Sequence, residues 1–134
     1  EFRRVLFRSG GGAVVLLAAR RSDVAAVVSV AGNLATAAWT AHHRISPLSG
    51  SLDPSDSARG LGALPQLHLV GAQDGVVPRL VADSYARRAA PDACLRILQV
   101  AGASHDKGWL EEWPAALREI PDCTAAPPRP APIR

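Results

Sequence analysis

Three short apolar segments limit what this chain can fold into. Residues 24–30 are rich in Val and predict a strand buried on both faces of a sheet, and residues 64–70 and 95–100 predict a second and a third strand. Glycines 10–12 predict a tight loop before a buried helix. Helices are predicted at 13–21, 34–43, 79–90 and 109–120. Strands that alternate with helices predict an α/β fold, a mostly parallel sheet with flanking helices.

Composition supports one packed domain and excludes two classes of protein. The 134 residues are 48% hydrophobic and 20% charged, which favours a packed core. No apolar run reaches the roughly 20 residues of a membrane helix, so no membrane span is expected. The excess positive charge lies in 1–9 and 121–134, while basic and acidic residues balance in between. A nucleic-acid-binding domain carries its positive charge on the folded body, so no nucleic acid partner is expected.

The two ends of the chain differ from its middle. Residues 1–9 resemble one reading frame of a sequencing adapter, which predicts a scar outside the fold. The alternative is a genuine strand, because Val5-Leu6-Phe7 has β propensity. Residues 121–134 contain five prolines and predict a disordered tail. Three strands leave an open sheet edge, so we expect residues 10–120 to be part of a larger, incomplete domain.

Three chemically suitable residues follow apolar segments in the order nucleophile, acid, histidine. Ser9 precedes three glycines and a predicted helix, whereas Asp74 and His105 follow the second and third predicted strands. The carboxyl ends of parallel strands lie along one edge of a sheet, where binding and catalytic sites form. We therefore expect Ser9, Asp74 and His105 to lie near one another.

These motifs resemble those of the α/β-hydrolase family. Ser-Gly-Gly-Gly at 9–12 matches the second half of the Gly-x-Ser-x-Gly nucleophile elbow, although Phe7 stands where the first glycine is expected. Gly-x-x-Asp-x-x-Val-Pro at 71–78 resembles the acid loop of the family, and Gly-x-x-His at 102–105 resembles its histidine loop. The resemblance covers residues 9–120 and implies the C-terminal half of an α/β-hydrolase fold.

The resemblance implies a serine hydrolase that cleaves a small-molecule ester or a related acyl bond. Ser9 would be the nucleophile, His105 its general base, and Asp74 the carboxylate that orients the imidazole. The backbone N–H of Gly10 would donate to the oxyanion. No cofactor is implied. The family takes a second oxyanion donor from a loop that is not represented here, so we expect little or no activity from this chain alone.

The remaining candidates concern the substrate pocket, metals and cysteines. The resemblance places a cap at 34–63, and Trp39 would line the substrate pocket there, the alternative being ordinary core. His42, His43 and His68 lack the spacing of metal ligands, so no metal is expected. Trp109 and Trp113 are predicted to pack together on the last helix. Cys94 and Cys123 are predicted to be inert thiols.

Two other functions stay open on the sequence. A non-catalytic module with this fold would use the same edge of the sheet to bind a ligand or partner. If Ser9 is not native, an aspartate at that position would imply a dehalogenase or an epoxide hydrolase.

Overall fold

The computed structural model describes residues 2–7 and 10–124 as a parallel sheet covered by helices on both faces. Four strands lie side by side in chain order, and every neighbouring pair is parallel. The strands are β1 (Phe2–Phe7), β2 (Val24–Val30), β3 (Gln66–Gly71) and β4 (Leu95–Val100). The helices are α1 (Gly10–Ala18), α2 (Thr36–His43), α3 (Arg79–Arg88) and α4 (Trp113–Leu117), and a 3-10 helix spans Pro54–Leu61. The predicted α/β class is confirmed.

The strands agree closely with the apolar segments of the sequence. β2 and β4 have the predicted bounds, whereas β3 begins two residues late, after Pro65. Residues 2–7 form β1, which pairs with β2 up to Phe7 beside Val30. This segment therefore belongs to the fold and should not be left out of it. Its origin from an adapter stays a prediction, and residues 8 and 9 lie outside the described residues.

Two apolar cores lie on opposite faces of the sheet, as the alternation of strand side chains requires. On β3, Leu67 and Leu69 face one core and Val70 faces the other. The first core joins the sheet to α1, α3 and the 3-10 helix, and it includes Val14, Val15, Val27, Leu34, Leu61 and Tyr85. The second joins the sheet to the segment around α4, and it includes Val28, Val30, Leu67, Leu69, Trp109 and Ala116.

The helical predictions need correction at several positions. α1 begins at Gly10 instead of residue 13, so the glycines lie in the helix and not in a loop before it. The segment 44–63, where no helix was predicted, contains the 3-10 helix, whose N-cap is Asp53. α4 begins at Trp113 because Pro114 fits the first turn of a helix, so Trp109 lies outside it. The longest α-helix has ten residues, and within 2–7 and 10–124 no helix could cross a membrane.

The prediction of two inert thiols is wrong. Cys94 and Cys123 form a disulfide that joins the chain before β4 to the chain after α4. The two cysteines are 29 residues apart in sequence, and only the return of the chain through α4 brings them together. Cys123 belonged to the predicted disordered tail, yet its position is set by this bond. Residues 125–134 of that tail lie outside the described residues.

Candidate active site

The acid loop follows β3 and buries the side chain of Asp74 completely. Its Oδ1 atom accepts hydrogen bonds from the backbone N–H groups of Val76, at 2.9 Å, and Val77, at 2.8 Å. Aspartate readily binds the backbone two or three residues ahead in this way, which explains the tight turn. Because Oδ1 is bound within its own loop, Oδ2 is the oxygen that faces another element.

That element is the histidine loop, which follows β4. The Nδ1 atom of His105 lies 3.0 Å from Oδ2 of Asp74, and 22% of the imidazole side chain is exposed. An ionised carboxylate can only accept a hydrogen bond, so Nδ1 carries the proton. In the neutral ring, Nε2 is then the basic nitrogen. The contact gives His105 the tautomer that a general base needs.

Close approach of the two loops depends on Gly71, the last residue of β3. A Cβ atom at this position would lie 2.5 Å from the carbonyl oxygen of Ala103, which is far inside contact distance. The backbones are also joined by hydrogen bonds from the N–H of Ala72 to Val100 O and from the N–H of Gln73 to Ala103 O, both 3.0 Å. A side chain at residue 71 would separate the two loops and with them Asp74 and His105.

The segment predicted to carry the nucleophile joins β1 to α1 along the chain. Ser9, the predicted nucleophile, lies outside the described residues, whereas Gly10 begins α1. The first backbone N–H groups of a helix have no partner within it and form a positive end, so the Gly10 N–H suits an oxyanion. A Cβ atom on Gly11 would lie 2.7 Å from Cα of Gly32, so glycine is required where α1 approaches the loop after β2.

Trp39 contacts the acid loop directly. Its Nε1–H donates a 2.7 Å hydrogen bond to the carbonyl oxygen of Val76, and Nε2 of His43 lies 2.7 Å from the same oxygen. The Trp39 and His43 rings meet edge to face with centroids 5.0 Å apart. Trp39 and His43 are four residues apart, so they lie on the same face of α2. The role of Trp39 as a pocket wall stays a prediction.

Solved structures provide the comparison for this arrangement, since no protein-family model and no curated protein matches the chain. A putative dienelactone hydrolase from Klebsiella pneumoniae aligns with a TM-score of 0.66 and 22% identity, covering 85% of this chain and 47% of its own. An esterase from Pyrococcus furiosus aligns with a TM-score of 0.65 and 12% identity, and the alignment covers 87% of this chain and 50% of the esterase. An alpha-beta serine hydrolase homologue from Coxiella burnetii aligns with a TM-score of 0.53 and 21% identity, and the alignment covers 75% of this chain and 39% of the homologue.

The chain has an α/β-hydrolase fold. The resemblance inferred from the motifs is confirmed at this level, and at these identities the likeness shows the fold alone. The chain spans half or less of the length of these three proteins. Activity and site residues are therefore argued from the chain's own geometry.

A cleft of about 500 Å³ adjoins the histidine loop of this α/β-hydrolase fold. It is lined by Val30, residues 106–111 and Trp113. Val30 ends β2, so the cleft lies at the same edge of the sheet as the Asp74–His105 pair. Its lining residues include two tryptophans, Trp109 and Trp113, and the charged residues 106, 107 and 111. The cleft is large enough for a small organic molecule.

A second histidine, His68, lies on β3 and is fully buried, and it does not contact the Asp74–His105 pair. Its Nδ1 atom is 2.7 Å from Oγ of Ser29, and its Nε2 atom is 3.3 Å from Oε1 of Gln66. The hydroxyl of Tyr85 donates to the same Gln66 oxygen at 2.6 Å. Complete burial lowers the pKa of His68 to about 3. Sequence reasoning missed this network because a polar residue in a buried strand carries no local sign of its partners.

The described residues show no cluster that resembles a metal centre. Within 2–7 and 10–124, no group of three or more His, Cys, Asp and Glu side chains could hold an ion. His43 contacts the acid loop, whereas His68 contacts Ser29 and Gln66. The histidines that the sequence considered together are therefore engaged by different parts of the fold.

Proposed function

We propose that this chain carries the reacting groups of a serine hydrolase that cleaves a small-molecule ester or a related acyl bond. The contact between Asp74 and His105 carries the proposal, because it holds Nε2 of the imidazole as the basic nitrogen. The structures that share the fold include a putative dienelactone hydrolase and an esterase, which supports the reaction class.

In the first half of the reaction, Oγ of Ser9 attacks the substrate carbonyl carbon while Nε2 of His105 takes the hydroxyl proton. The carboxylate of Asp74 stabilises the imidazolium through Nδ1–H. The N–H of Gly10 donates to the negative oxygen of the tetrahedral intermediate. The imidazolium then protonates the leaving oxygen, and an acyl group remains on Ser9.

In the second half, His105 takes a proton from water, and the resulting hydroxide attacks the acyl carbon. Collapse of this intermediate releases the acid and returns the proton to Ser9. Gly10 is the one oxyanion donor that the motif supplies. Removal of a single donor costs on the order of 10²–10³ in rate in enzymes of this kind, so we expect slow turnover by the 134-residue chain.

A covalent probe tests the proposal even if turnover is slow, because an irreversible adduct accumulates with time. We expect a fluorophosphonate to phosphonylate Ser9, as detected by intact-mass and peptide mass spectrometry. Ser9→Ala should abolish the adduct, and His105→Gln should slow its formation by about 10²–10⁴, the usual contribution of a general base.

The opposite result is equally informative. A folded chain that gains no adduct at residue 9 after prolonged exposure would contradict the proposed nucleophile. An adduct that forms at the same rate in His105→Gln would contradict the base. In either case a non-catalytic binding module with this fold becomes the better description, and Phe7 at the position of the elbow's first glycine is the observation that favours it.

A further inference from the structure

The carbonyl oxygen of Val76 accepts hydrogen bonds from two side chains of α2. Nε1–H of Trp39 and Nε2 of His43 each lie 2.7 Å from it. A carbonyl can only accept, so His43 carries a proton on Nε2, and the two lone pairs of the oxygen allow both bonds. These donors are 37 and 33 residues away in sequence from the residue that they contact. The pair is therefore a tertiary contact between α2 and the acid loop.

The same peptide group also binds Asp74. The carbonyl of Val76 and the N–H of Val77 belong to one planar unit, and this N–H donates a 2.8 Å hydrogen bond to Oδ1 of Asp74. Hydrogen bonds accepted at the oxygen polarise the peptide and strengthen donation at its nitrogen. Since the unit is planar, fixing the oxygen also fixes the direction of the N–H. Helix α2 can thus act on Asp74 through one peptide group.

The helix that supplies the two donors is itself held by contacts with other segments. At its start, the N–H of Ala37 donates a 2.9 Å hydrogen bond to Oδ2 of Asp53. Burial alone would raise the pKa of Asp53, but hydrogen bonds from Ala37 and Ser55 outweigh it and keep that pKa below its usual value. In the middle of the helix, Trp39 packs against the buried cluster of Ala35, Val77 and Val81. The position of the donors is therefore set by the fold.

We propose that Trp39 and His43 are positioning residues that hold Asp74 in line with His105 through the peptide group between residues 76 and 77. The part of this proposal that concerns reactivity rests on the proposed function. The geometric part concerns only the acid loop and can be measured without any reaction.

Four variants separate the two hydrogen bonds from other effects. Trp39→Phe keeps an aromatic ring and removes the N–H donor, and His43→Leu removes the second donor. His43→Gln is the conservative variant, because its amide nitrogen is a donor at a similar distance from Cα. Ala41→Ser is the matched control, since Ala41 is exposed on the same helix and takes no part in the two hydrogen bonds to Val76.

Amide hydrogen exchange and NMR report on the contact directly. We expect the N–H of Val77 to exchange about fivefold faster in Trp39→Phe and in His43→Leu, the effect of one ordinary hydrogen bond. Exchange at Leu67, in the centre of β3, should stay unchanged as an internal reference. The Nδ1–H resonance of His105 should broaden or move in the same two variants. His43→Gln and Ala41→Ser should resemble the wild type in all three measurements.

Fluorophosphonate labelling at Ser9 gives a separate readout. We expect both donor variants to lower the labelling rate about two- to tenfold, with recovery in His43→Gln. If the wild type is not labelled but Val77 exchange and the His105 resonance respond as stated, the positioning role stands and the proposed function fails. If the wild type is labelled and neither readout responds to the variants, the proposed function stands and the positioning role is overturned. Equal acceleration at Val77 and Leu67 would also overturn it, since that result means general destabilisation.

Discussion

Two histidines in this molecule make the same kind of contact with opposite consequences. His105 and His68 each place Nδ1 close to an oxygen, at 3.0 Å from Asp74 and at 2.7 Å from Ser29. The carboxylate of Asp74 only accepts, so His105 has its proton on Nδ1. Gln66 Oε1 also only accepts, so His68 has its proton on Nε2, and its Nδ1 accepts a hydrogen bond from the Ser29 hydroxyl. The partner oxygen therefore decides which nitrogen is basic.

Burial decides whether the ring can exchange a proton at all. His105 lies at the edge of the sheet with part of its ring in solvent and an anion beside it. His68 is fully buried beside neutral partners, and its pKa falls to about 3 because the charged form is desolvated. At neutral pH, His68 is uncharged and has a structural role as a hydrogen-bond partner of Ser29 and Gln66. The comparison shows why His105 is the candidate base and His68 is not: His105 has a carboxylate at Nδ1 and a partly exposed ring.

The largest expected effect is the loss of reactivity at the edge of the sheet. His105→Gln should reduce fluorophosphonate labelling at Ser9 by about 10²–10⁴, because the base is removed. His68→Gln, the same substitution at the buried site, should leave the labelling rate of the folded protein within about twofold. Labelling kinetics on both variants, with folding checked by circular dichroism, test this difference. Equal loss in the two variants would contradict the assignment of His105 as the base.

The second effect concerns stability at the buried site. His68→Leu should lower the free energy of unfolding by about 2–4 kcal/mol, because Ser29 and Gln66 each lose a partner inside the protein. His42→Leu is the control at an exposed position and should change it by at most about 0.5 kcal/mol. Urea unfolding monitored by tryptophan fluorescence measures both. A stable His68→Leu variant would show that the network contributes specificity without net stability.

The third effect is a dependence of stability on pH. The pKa of His68 is about 3 in the folded protein and about 6.5 in the unfolded chain, so the unfolded state binds one more proton between these values. This histidine should therefore reduce the free energy of unfolding by about 1.4 kcal/mol for each pH unit below about 6.5, and it should contribute nothing above that pH.

His68→Gln isolates that contribution, because the other histidines titrate in both proteins and cancel in the difference. Urea titrations at several values between pH 4.5 and pH 7.5 should give a shallower slope for the variant on the acidic side. Parallel curves for the two proteins would mean that His68 is protonated in the folded state.

The smallest expected effect is the change in the free energy of unfolding when one buried hydroxyl group is removed. Ser29→Ala should lower the free energy of unfolding by about 1 kcal/mol, since Nδ1 of His68 loses its donor. Ser22→Ala, at an exposed position before β2, provides the matched control and should have no measurable effect. Labelling at Ser9 should be unchanged in both. A large loss of labelling in Ser29→Ala would link the buried network to the nucleophile segment.

The strands and the candidate residues could be predicted because their signals are local. β2 and β4 are short segments rich in apolar residues between polar breaks, and their bounds were predicted correctly. Asp74 and His105 were singled out because they follow strands in a known order of motifs. Helix bounds were predicted less accurately. The glycines at the start of α1 allow the helix to lie close to the loop after β2, and a local sequence pattern does not reveal such a contact.

The sequence by itself therefore determined the α/β class, the positions of the central strands and the identity of the acid and histidine candidates. Tertiary structure alone decided which atoms meet. It joined Cys94 to Cys123, placed Trp39 and His43 on the Val76 carbonyl, and gave the two histidines opposite tautomers. The physical reason is the distance along the sequence over which each kind of interaction acts. Propensity and periodicity act over a few neighbouring residues, whereas hydrogen bonds, burial and disulfides depend on how distant segments pack.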